Sequence, residues 1–287
     1  MSGLESVLRT AVAPLPLPAG MRRRGRPVRR LLSGLGWLLL LVPLTVAVLG
    51  PLVAPSTDPG GVPLAPPGPG LPLGTDVYGR DLLAVVLSGG ASVVALTAAA
   101  LVLAYAVAVP IGLVVAARGR IVEATTIGLA DCVLALPSLL VLMVLAATGR
   151  RGACWVVVAV ALVQLPYVVR LVRGAAAAPS CLAALETMTM TGEPWWRVRL
   201  LETGRRVLPP VLVDAATRVS GVVGLLSAAN FLGVGLDPSV VDWATVVEQN
   251  TTALFLRPST VLVPAGLLVA LCAGTNLLVD ELLERRS

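Results

Sequence analysis

The chain has 287 residues, of which 56% are hydrophobic and only 13% are charged. Soluble proteins carry about 25% charged residues, so this composition predicts a protein that lies in a lipid bilayer. The net charge of +6 comes from 22 basic residues, all of them arginine, and the chain has no lysine and no histidine. Histidine-dependent metal or acid–base sites are therefore excluded, as is a phosphate-binding loop that needs a lysine.

The cysteines and arginines exclude further classes of site. The four cysteines show no spacing that is typical of a zinc or redox site. The arginines lie at the ends of apolar segments and form no continuous basic face, which argues against nucleic acid as a partner. We predict that this chain has no catalytic site and binds no metal and no cofactor.

Six apolar stretches are long enough to cross a hydrocarbon core, which takes about 20 residues. They are residues 31–51, 91–117, 126–147, 154–172, 207–236 and 261–279. The predicted fold class is therefore an all-α membrane protein with about six transmembrane helices, formed by residues 31–287.

Residues 1–30 form an arginine-rich tail before the first stretch. Positively charged flanks stay in the cytoplasm, so this tail predicts a cytoplasmic N-terminus, and counting the stretches predicts a cytoplasmic C-terminus. A cleaved signal peptide is the competing interpretation of the first stretch. We favour its retention, because its apolar run is nearly a full span and no clear cleavage site follows.

A proline- and glycine-rich external loop is predicted at residues 52–90, between the first two stretches. It contains the sequence Leu-Gly-Thr-Asp-Val-Tyr-Gly-Arg-Asp, in which the residues of interest are Gly74, Thr75, Asp76, Gly79, Arg80 and Asp81. The glycines permit tight turns, while the charged side chains can pair locally and cap the next helix. We favour a rigid structural turn over a ligand-binding role.

Several polar residues lie inside the apolar stretches. Asp214 and Arg218 are spaced to meet on one helical face, and because charges in a membrane are costly they should face protein or water. The other candidates are Asp131, Gln164 and Asn230. Each of these residues either lines a path or bonds one helix to another, and the second role is the commoner one.

A polar segment at residues 176–206 separates the fourth and fifth stretches and is predicted to be cytoplasmic. It is predicted to form two short helices, because Gly192 can end the first and Pro194 suits the first turn of the second. A helical hairpin of this kind can receive mechanical work from a cytosolic partner. The alternative is an ordinary amphipathic connector, with Trp195 and Trp196 at the membrane surface.

These segments resemble a known family. Glu186-Thr187-Met188 followed by Gly192 resembles the EAA loop of ABC importer permeases, although Thr187 and Met188 replace the usual alanines. Residues 73–81 resemble a signature of the second permease of dipeptide, oligopeptide and nickel ABC importers. Further similar segments are Leu129-Ala130-Asp131 before Leu136-Pro137-Ser138, residues 230–235 with Asp242-Trp243, and residues 276–280.

The resemblance implies the transmembrane domain of a type I ABC importer, in a bacterial cell membrane. The residues that it implies for docking an ATPase are Glu186, Thr187, Met188, Gly192, Glu193 and Pro194. The implied partners are a homologous permease, two cytosolic ATPase subunits or domains that hold ATP and Mg²⁺, an external solute-binding protein and membrane lipid. The implied cargo is short peptides, with nickel, metal chelates or other small solutes as alternatives.

Two other classes of protein remain in view. A secondary carrier would use intramembrane carboxylates such as Asp131 and Asp214 as ion sites, and it would transport when expressed alone. A membrane enzyme is disfavoured, because the stretches lack a histidine, a paired-carboxylate motif and a nucleophile with a visible base.

Overall fold

The computed structural model describes residues 26–58, 60–117, 120–149, 152–179, 181, 188, 194, 197–231 and 240–286. Within these ranges we number the α-helices in chain order. They are α1 (Arg26–Val53), α2 (Leu82–Ala117), α3 (Arg120–Leu134), α4 (Ser138–Ala147), α5 (Ala153–Ala176), α6 (Thr203–Phe231), α7 (Trp243–Gln249) and α8 (Ser259–Arg286). A π-helical turn at Arg197–Glu202 leads into α6, and a 3₁₀ turn at Thr251–Ala253 follows α7.

The described residues contain five helices that are long and apolar enough to cross a membrane, namely α1, α2, α5, α6 and α8. The pair α3 and α4 adds a sixth span if the two are counted together. The predicted fold class, an all-α membrane protein with about six spanning helices, is confirmed.

The third predicted stretch, residues 126–147, is not one straight helix. Residues Ile121–Leu134 and Ser138–Val144 are helical, and their axes differ by 79°. The break falls at Pro137, which has no backbone N–H to donate and disfavours a helical conformation at the residue before it. Helical hydrogen bonding resumes directly after the break, since Val141 N donates to Pro137 O at 3.2 Å.

Helix α2 begins at Leu82, so the predicted start at Ala91 was too late. The Asp81 side chain accepts a hydrogen bond from Leu83 N at 3.0 Å and caps the first turn. Gly89 and Gly90, which fall in the predicted loop 52–90, lie inside the helix. A Cβ at Gly90 would come within 2.5 Å of the Trp243 ring and 2.7 Å of Ala47 Cα, so the glycine allows close packing.

Helix α2 lies at the centre of the bundle and packs against α1, α5 and α6. One apolar cluster joins α2, α4, α5 and α6 through residues that include Leu96, Leu142 and Val222. A second cluster joins α2, α5 and α6 nearer the ends of α5 and α2, and it includes Val169 and Val207. The two clusters leave a layer between them at the middle of the spanning helices.

Helices α1 and α8 approach each other closely at Gly274. A Cβ at this position would lie 2.5 Å from Leu40 N and 2.7 Å from Leu39 C. Because these atoms belong to the backbone of α1, they cannot move aside as a flexible side chain would. A glycine is therefore required where the first and last spanning helices cross.

Candidate functional site

The turn at residues 73–81 is held by a dense set of local bonds. Asp76 Oδ1 accepts from Tyr78 N and Arg80 N at 2.9 Å each, and Asp76 Oδ2 accepts from Arg80 Nε at 2.6 Å. Gly74 and Gly79 adopt φ values of +77° and +75°, which favour glycine. Asp76 is fully buried, so its carboxylate organises the turn and is not available to a ligand.

This turn also contacts the segment between α6 and α8. Arg80 Nη2 donates to Gln249 Oε1 at 2.8 Å, and Val77 N donates to the Asn250 side chain at 3.1 Å. Arg257 Nε donates to Leu64 O at 3.1 Å. We call residues 60–81 together with residues 240–258 the cap, because these bonds join them over one end of the bundle.

Asp242 and Trp243 attach the cap to the helices. Asp242 accepts from Ala244 N at 2.9 Å as the N-cap of α7, from Ser92 Oγ on α2 at 2.9 Å, and from Asn230 Nδ2 on α6 at 3.2 Å. Trp243 is fully buried, and its Nε1 donates to Val86 O at 2.7 Å. Burial raises the pKa of the Asp242 carboxyl above its ordinary value, although these hydrogen bonds oppose the shift.

Asp214 and Arg218 form an ion pair on α6, four residues apart as their spacing predicts. Arg218 Nε donates to Asp214 Oδ2 at 2.6 Å, and Arg218 Nη2 donates to Oδ1 at 3.1 Å. Two other helices join this pair. Tyr105 Oη on α2 donates to Asp214 Oδ2 at 2.5 Å, and Gln164 Oε1 on α5 accepts from Arg218 Nη1 at 3.3 Å.

The aromatic ring of Tyr167 completes this group, since the Arg218 guanidinium carbon lies 5.1 Å from the ring centroid. We call Tyr105, Gln164, Tyr167, Asp214 and Arg218 the polar layer. Its members on α2, α5 and α6 lie between the two apolar clusters, so they join three spanning helices at mid-bundle. The geometry brings Gln164, Asp214 and Arg218 together, whereas Asn230 lies apart from them at the cap.

Asp131 belongs to a different contact, between α3 and α5. It pairs with Arg170, and a second ion pair joins Glu123 to Arg173 nearby. The side chains of Asp131 and Arg170 are 52% and 42% exposed, so this pair lies at the surface of the chain. The two pairs link the first half of the bent span to the end of α5 that leads into the hairpin segment.

Most of the residues assigned to ATPase docking lie outside the described part of the chain, namely Glu186, Thr187, Gly192 and Glu193. Pro194 is described and exposed, and Arg197 N donates to Pro194 O at 3.0 Å. Met188 is half-buried. On the far side of the segment, Arg206 pairs with Glu202 across one turn at 3.0 Å.

Sequence reasoning missed several residues that the structure places in these contacts. Tyr105, Tyr167, Ser92, Gln249 and Asn250 were not identified, because their partners lie far away in the chain. Asn250, which is fully buried, bonds a residue 173 positions earlier. The sequence held only a weak indication of this site. Asp242 before Trp243-Ala244-Thr245 has the pattern of an N-cap, which indicates the short helix α7.

Comparison with known proteins identifies the family. The family model described as "Binding-protein-dependent transport system inner membrane component" matches residues 108–287, which is more than half of the chain. The chain is similar to the "Probable D,D-dipeptide transport system permease protein DdpC" of Escherichia coli (strain K12). The two are 24% identical over 247 residues, which cover 85% of this chain and 83% of that protein.

Two further relatives are also named as permease proteins of peptide transport systems. The "Dipeptide transport system permease protein DppC" of Haemophilus influenzae is 24% identical over 257 residues, 86% of this chain and 87% of the relative. The "Di/tripeptide transport system permease protein DppC" of Pseudomonas aeruginosa is 28% identical over 228 residues, 76% of this chain and 74% of the relative. The apolar helices and the matched family make the chain a multi-pass protein of the bacterial inner membrane. It belongs to the family of inner membrane components of binding-protein-dependent transport systems.

Proposed function

We propose that this chain is the second permease subunit of an ATP-driven importer and forms half of a translocation path for short peptides. The peptide cargo is inferred from the similarity, over at least 76% of the chain, to three permeases whose names specify dipeptides or di- and tripeptides. The family itself supports the coarser role of a membrane component in a transport system that uses a binding protein.

The proposed assembly contains this chain, a homologous permease, two cytosolic ATPase subunits or domains and an external solute-binding protein. ATP and Mg²⁺ are held by the ATPases. The absence of lysine from this chain supports that assignment, because a nucleotide-binding loop of the Walker type requires one. We therefore assign this subunit no hydrolytic activity and no cofactor of its own.

We place both termini in the cytoplasm and the cap outside, with membrane lipid around the spanning helices. The arginines of residues 1–30 and of the hairpin segment support this orientation, since positive flanks stay inside. The cap then lies where the solute-binding protein delivers cargo. Its bonds to α2 and α6 give that protein a rigid surface to meet.

The hairpin around Glu186, Gly192 and Pro194 is proposed to dock in the ATPases and to receive the movement that ATP binding drives. It lies between α5 and α6. Because Arg170 and Arg173 on α5 pair with Asp131 and Glu123 on α3, a displacement of the hairpin would also move the first half of the bent span. This connection would convert closure of the ATPases into a change in the path.

The test is to reconstitute the complete complex in vesicles and to measure uptake of a radiolabelled dipeptide with and without ATP. We expect ATP-dependent accumulation that also requires the solute-binding protein. The chain reconstituted alone should accumulate nothing, whereas accumulation by the lone chain would show a secondary carrier. Accumulation of nickel and not of peptide would contradict the proposed cargo and leave the permease role in place.

The docking segment is tested in the same preparation with Gly192→Val and Glu186→Ala. We expect both changes to reduce copurification of the ATPases and ATP hydrolysis stimulated by the loaded binding protein. Glu202→Ala, which breaks the Arg206 pair at the end of the segment next to α6 and away from the docking residues, is the control. Unchanged copurification and hydrolysis in both docking variants would refute the proposed site of docking.

A further inference from the structure

The polar layer is satisfied on one side and open on the other. Asp214 accepts hydrogen bonds from Arg218 Nε and Nη2 and from Tyr105, so its carboxylate oxygens are well supplied with donors. Arg218 differs. A guanidinium carries five N–H donors. Within the described residues, Nε and Nη2 donate to Asp214, Nη1 donates to Gln164, and Tyr105 also interacts with the guanidinium, so these contacts do not use all five donors.

The unsatisfied edge of the polar layer therefore presents hydrogen-bond donors. The side chain of Arg218 is 20% exposed and that of Asp214 is 17% exposed, so the edge reaches the surface of the chain. Tyr167, which is 43% exposed, supports the guanidinium from one side and fixes its plane. A group that bonds here must supply acceptor oxygens, and an ionised carboxylate accepts stronger hydrogen bonds from a guanidinium than a neutral oxygen does.

Among the described residues, none covers the surface beside Arg218. Gly221, one turn further along α6, has no atom within 4 Å of an added Cβ, and the same is true of Gly224. Thr217 is exposed on the same side of the helix. A charged pair at mid-membrane is costly against lipid, so this surface should meet water or protein.

We propose that Arg218 lies in the wall of the translocation path and donates hydrogen bonds to the C-terminal carboxylate of the peptide in transit. This inference rests on the proposed function and names a subsite within it. Asp214 and Tyr105 are positioning residues, because they orient the guanidinium from the side away from the cargo. Asp214 also neutralises most of the positive charge, which keeps the site weak enough for the peptide to leave.

The first experiment asks whether this surface is aqueous in the assembled permease pair with its ATPases. The native cysteines are replaced by alanine, Gly221→Cys is introduced, and its reaction with a water-soluble thiol reagent is followed. Val269→Cys, at a position of α8 that is 67% exposed within an apolar span, is the control for a thiol in apolar surroundings. We expect Gly221→Cys to react at least about tenfold faster than the control, because thiolates form readily only in water. A rate no faster than the control would overturn the proposal.

The second experiment tests the ligand with alanyl-alanine and its C-terminal amide as probes, both at millimolar concentration and without the binding protein. The free acid should slow the modification of Gly221→Cys, and the amide should not. Protection by both probes, or by neither, would overturn the assignment to the carboxylate. Failure of the proposed function would show differently, as a wild-type complex that imports no dipeptide at all.

The role of Arg218 is isolated by two variants in this background. Arg218→Gln should abolish the protection by the free acid, while Arg206→Gln, which breaks only the ion pair with Glu202 at the start of α6, should retain it. Should Arg218→Gln fail to assemble, Arg218→Lys keeps a positive charge for Asp214 and lacks the planar pair of donors. Full protection in an assembled Arg218 variant would contradict the subsite.

Discussion

At the scale of single residues, the chain places its buried polar groups where helices meet. The carboxylate of Asp242 joins α2, α6 and α7, and that of Asp214 joins α2 to α6 through Tyr105. Both are acceptors for donors from other helices, and a hydrogen bond or ion pair compensates their removal from water. The two sites respond differently to substitution, because Asp242 bonds neutral groups whereas Asp214 bonds a charge.

We predict that Asp242→Asn is tolerated and that Asp242→Ala is not. Asparagine keeps the acceptor for Ala244 N, and its amide can donate to Ser92 Oγ, whose own proton can turn to Gly89 O or Val241 O at 3.1 Å. Alanine removes the N-cap of α7, at a cost of about 1 kcal/mol. Thermal unfolding of the detergent-solubilised complex measures both changes, and equal losses would contradict this account.

The same site predicts a dependence on pH. Because burial raises the pKa of Asp242 from its ordinary value of 3.8, the folded state holds the proton more tightly than the unfolded state. Its contribution to stability is therefore full below pH 3.8 and declines as the pH rises through the folded-state pKa. We expect Asp242→Asn to gain melting temperature relative to the wild type as the pH rises across that window. A constant difference would show that the carboxyl does not titrate abnormally.

For the ion pair on α6, removing one partner should be worse than removing both. Asp214→Leu leaves the guanidinium without its counter-charge, and Arg218→Leu leaves a carboxylate with Tyr105 as its remaining described partner. The double variant leaves no isolated charge. We expect a coupling energy of about 0.5–3 kcal/mol from melting temperatures or membrane yields of the four proteins. Additive losses would mean that the two side chains do not interact.

At the scale of helices, proline and glycine act according to what lies beside them. Pro110, Pro166 and Pro264 lie within continuous helices, whereas Pro137 separates α3 from α4. Around that break, α3 pairs with α5 through arginines, and α4 packs against α5 and α6. Both halves of the third span therefore contact α5, and the bend brings the second half against α6 as well.

Two glycines of α8 provide a matched pair of substitutions. We predict that Gly274→Ala destabilises the bundle, because its Cβ would lie 2.5 Å from the backbone nitrogen of Leu40. Gly266 has no atom within 4 Å of an added Cβ. Gly266→Ala should therefore leave stability unchanged or raise it by up to about 1 kcal/mol, through helix propensity. Melting temperatures of the two variants test this, and a similar response of both would refute the close crossing of α1 and α8.

At the scale of the whole molecule, the described chain has two different ends. The cap closes one end with hydrogen bonds that tie the α1–α2 loop to the segment after α6. The other end carries the arginines of α5 and the turn that leads into α6. This asymmetry suits a subunit that meets a binding protein at one membrane face and an ATPase at the other.

The proposed orientation predicts how single cysteines react in a background without native cysteines. Phe255→Cys, in the cap, replaces a side chain that is 94% exposed, and Ile121→Cys, at the other end, replaces one that is 82% exposed. An impermeant thiol reagent should label Phe255→Cys in cells whose outer membrane alone is permeabilised, and Ile121→Cys only in inside-out vesicles. The reverse pattern would invert the topology.

The sequence by itself determined that the protein lies in a lipid bilayer, that its fold is all-α, and which residues close in sequence form pairs. Hydrophobic length identifies a spanning helix without any knowledge of its neighbours, and spacing along one chain segment predicts contacts such as Asp214 with Arg218 and Asp76 with Arg80. These are properties of consecutive residues, so no other part of the chain is needed to infer them.

The tertiary structure alone decided which distant residues meet. Tyr105 and Asp214 are 109 positions apart, and Val77 and Asn250 are 173 apart, so neither contact has a local signature. The same holds for Gly90, which looks like a helix breaker until Trp243 is seen packed against it. In these cases the role of a residue depends on which helix packs against it, and that is set by the packing of the whole bundle.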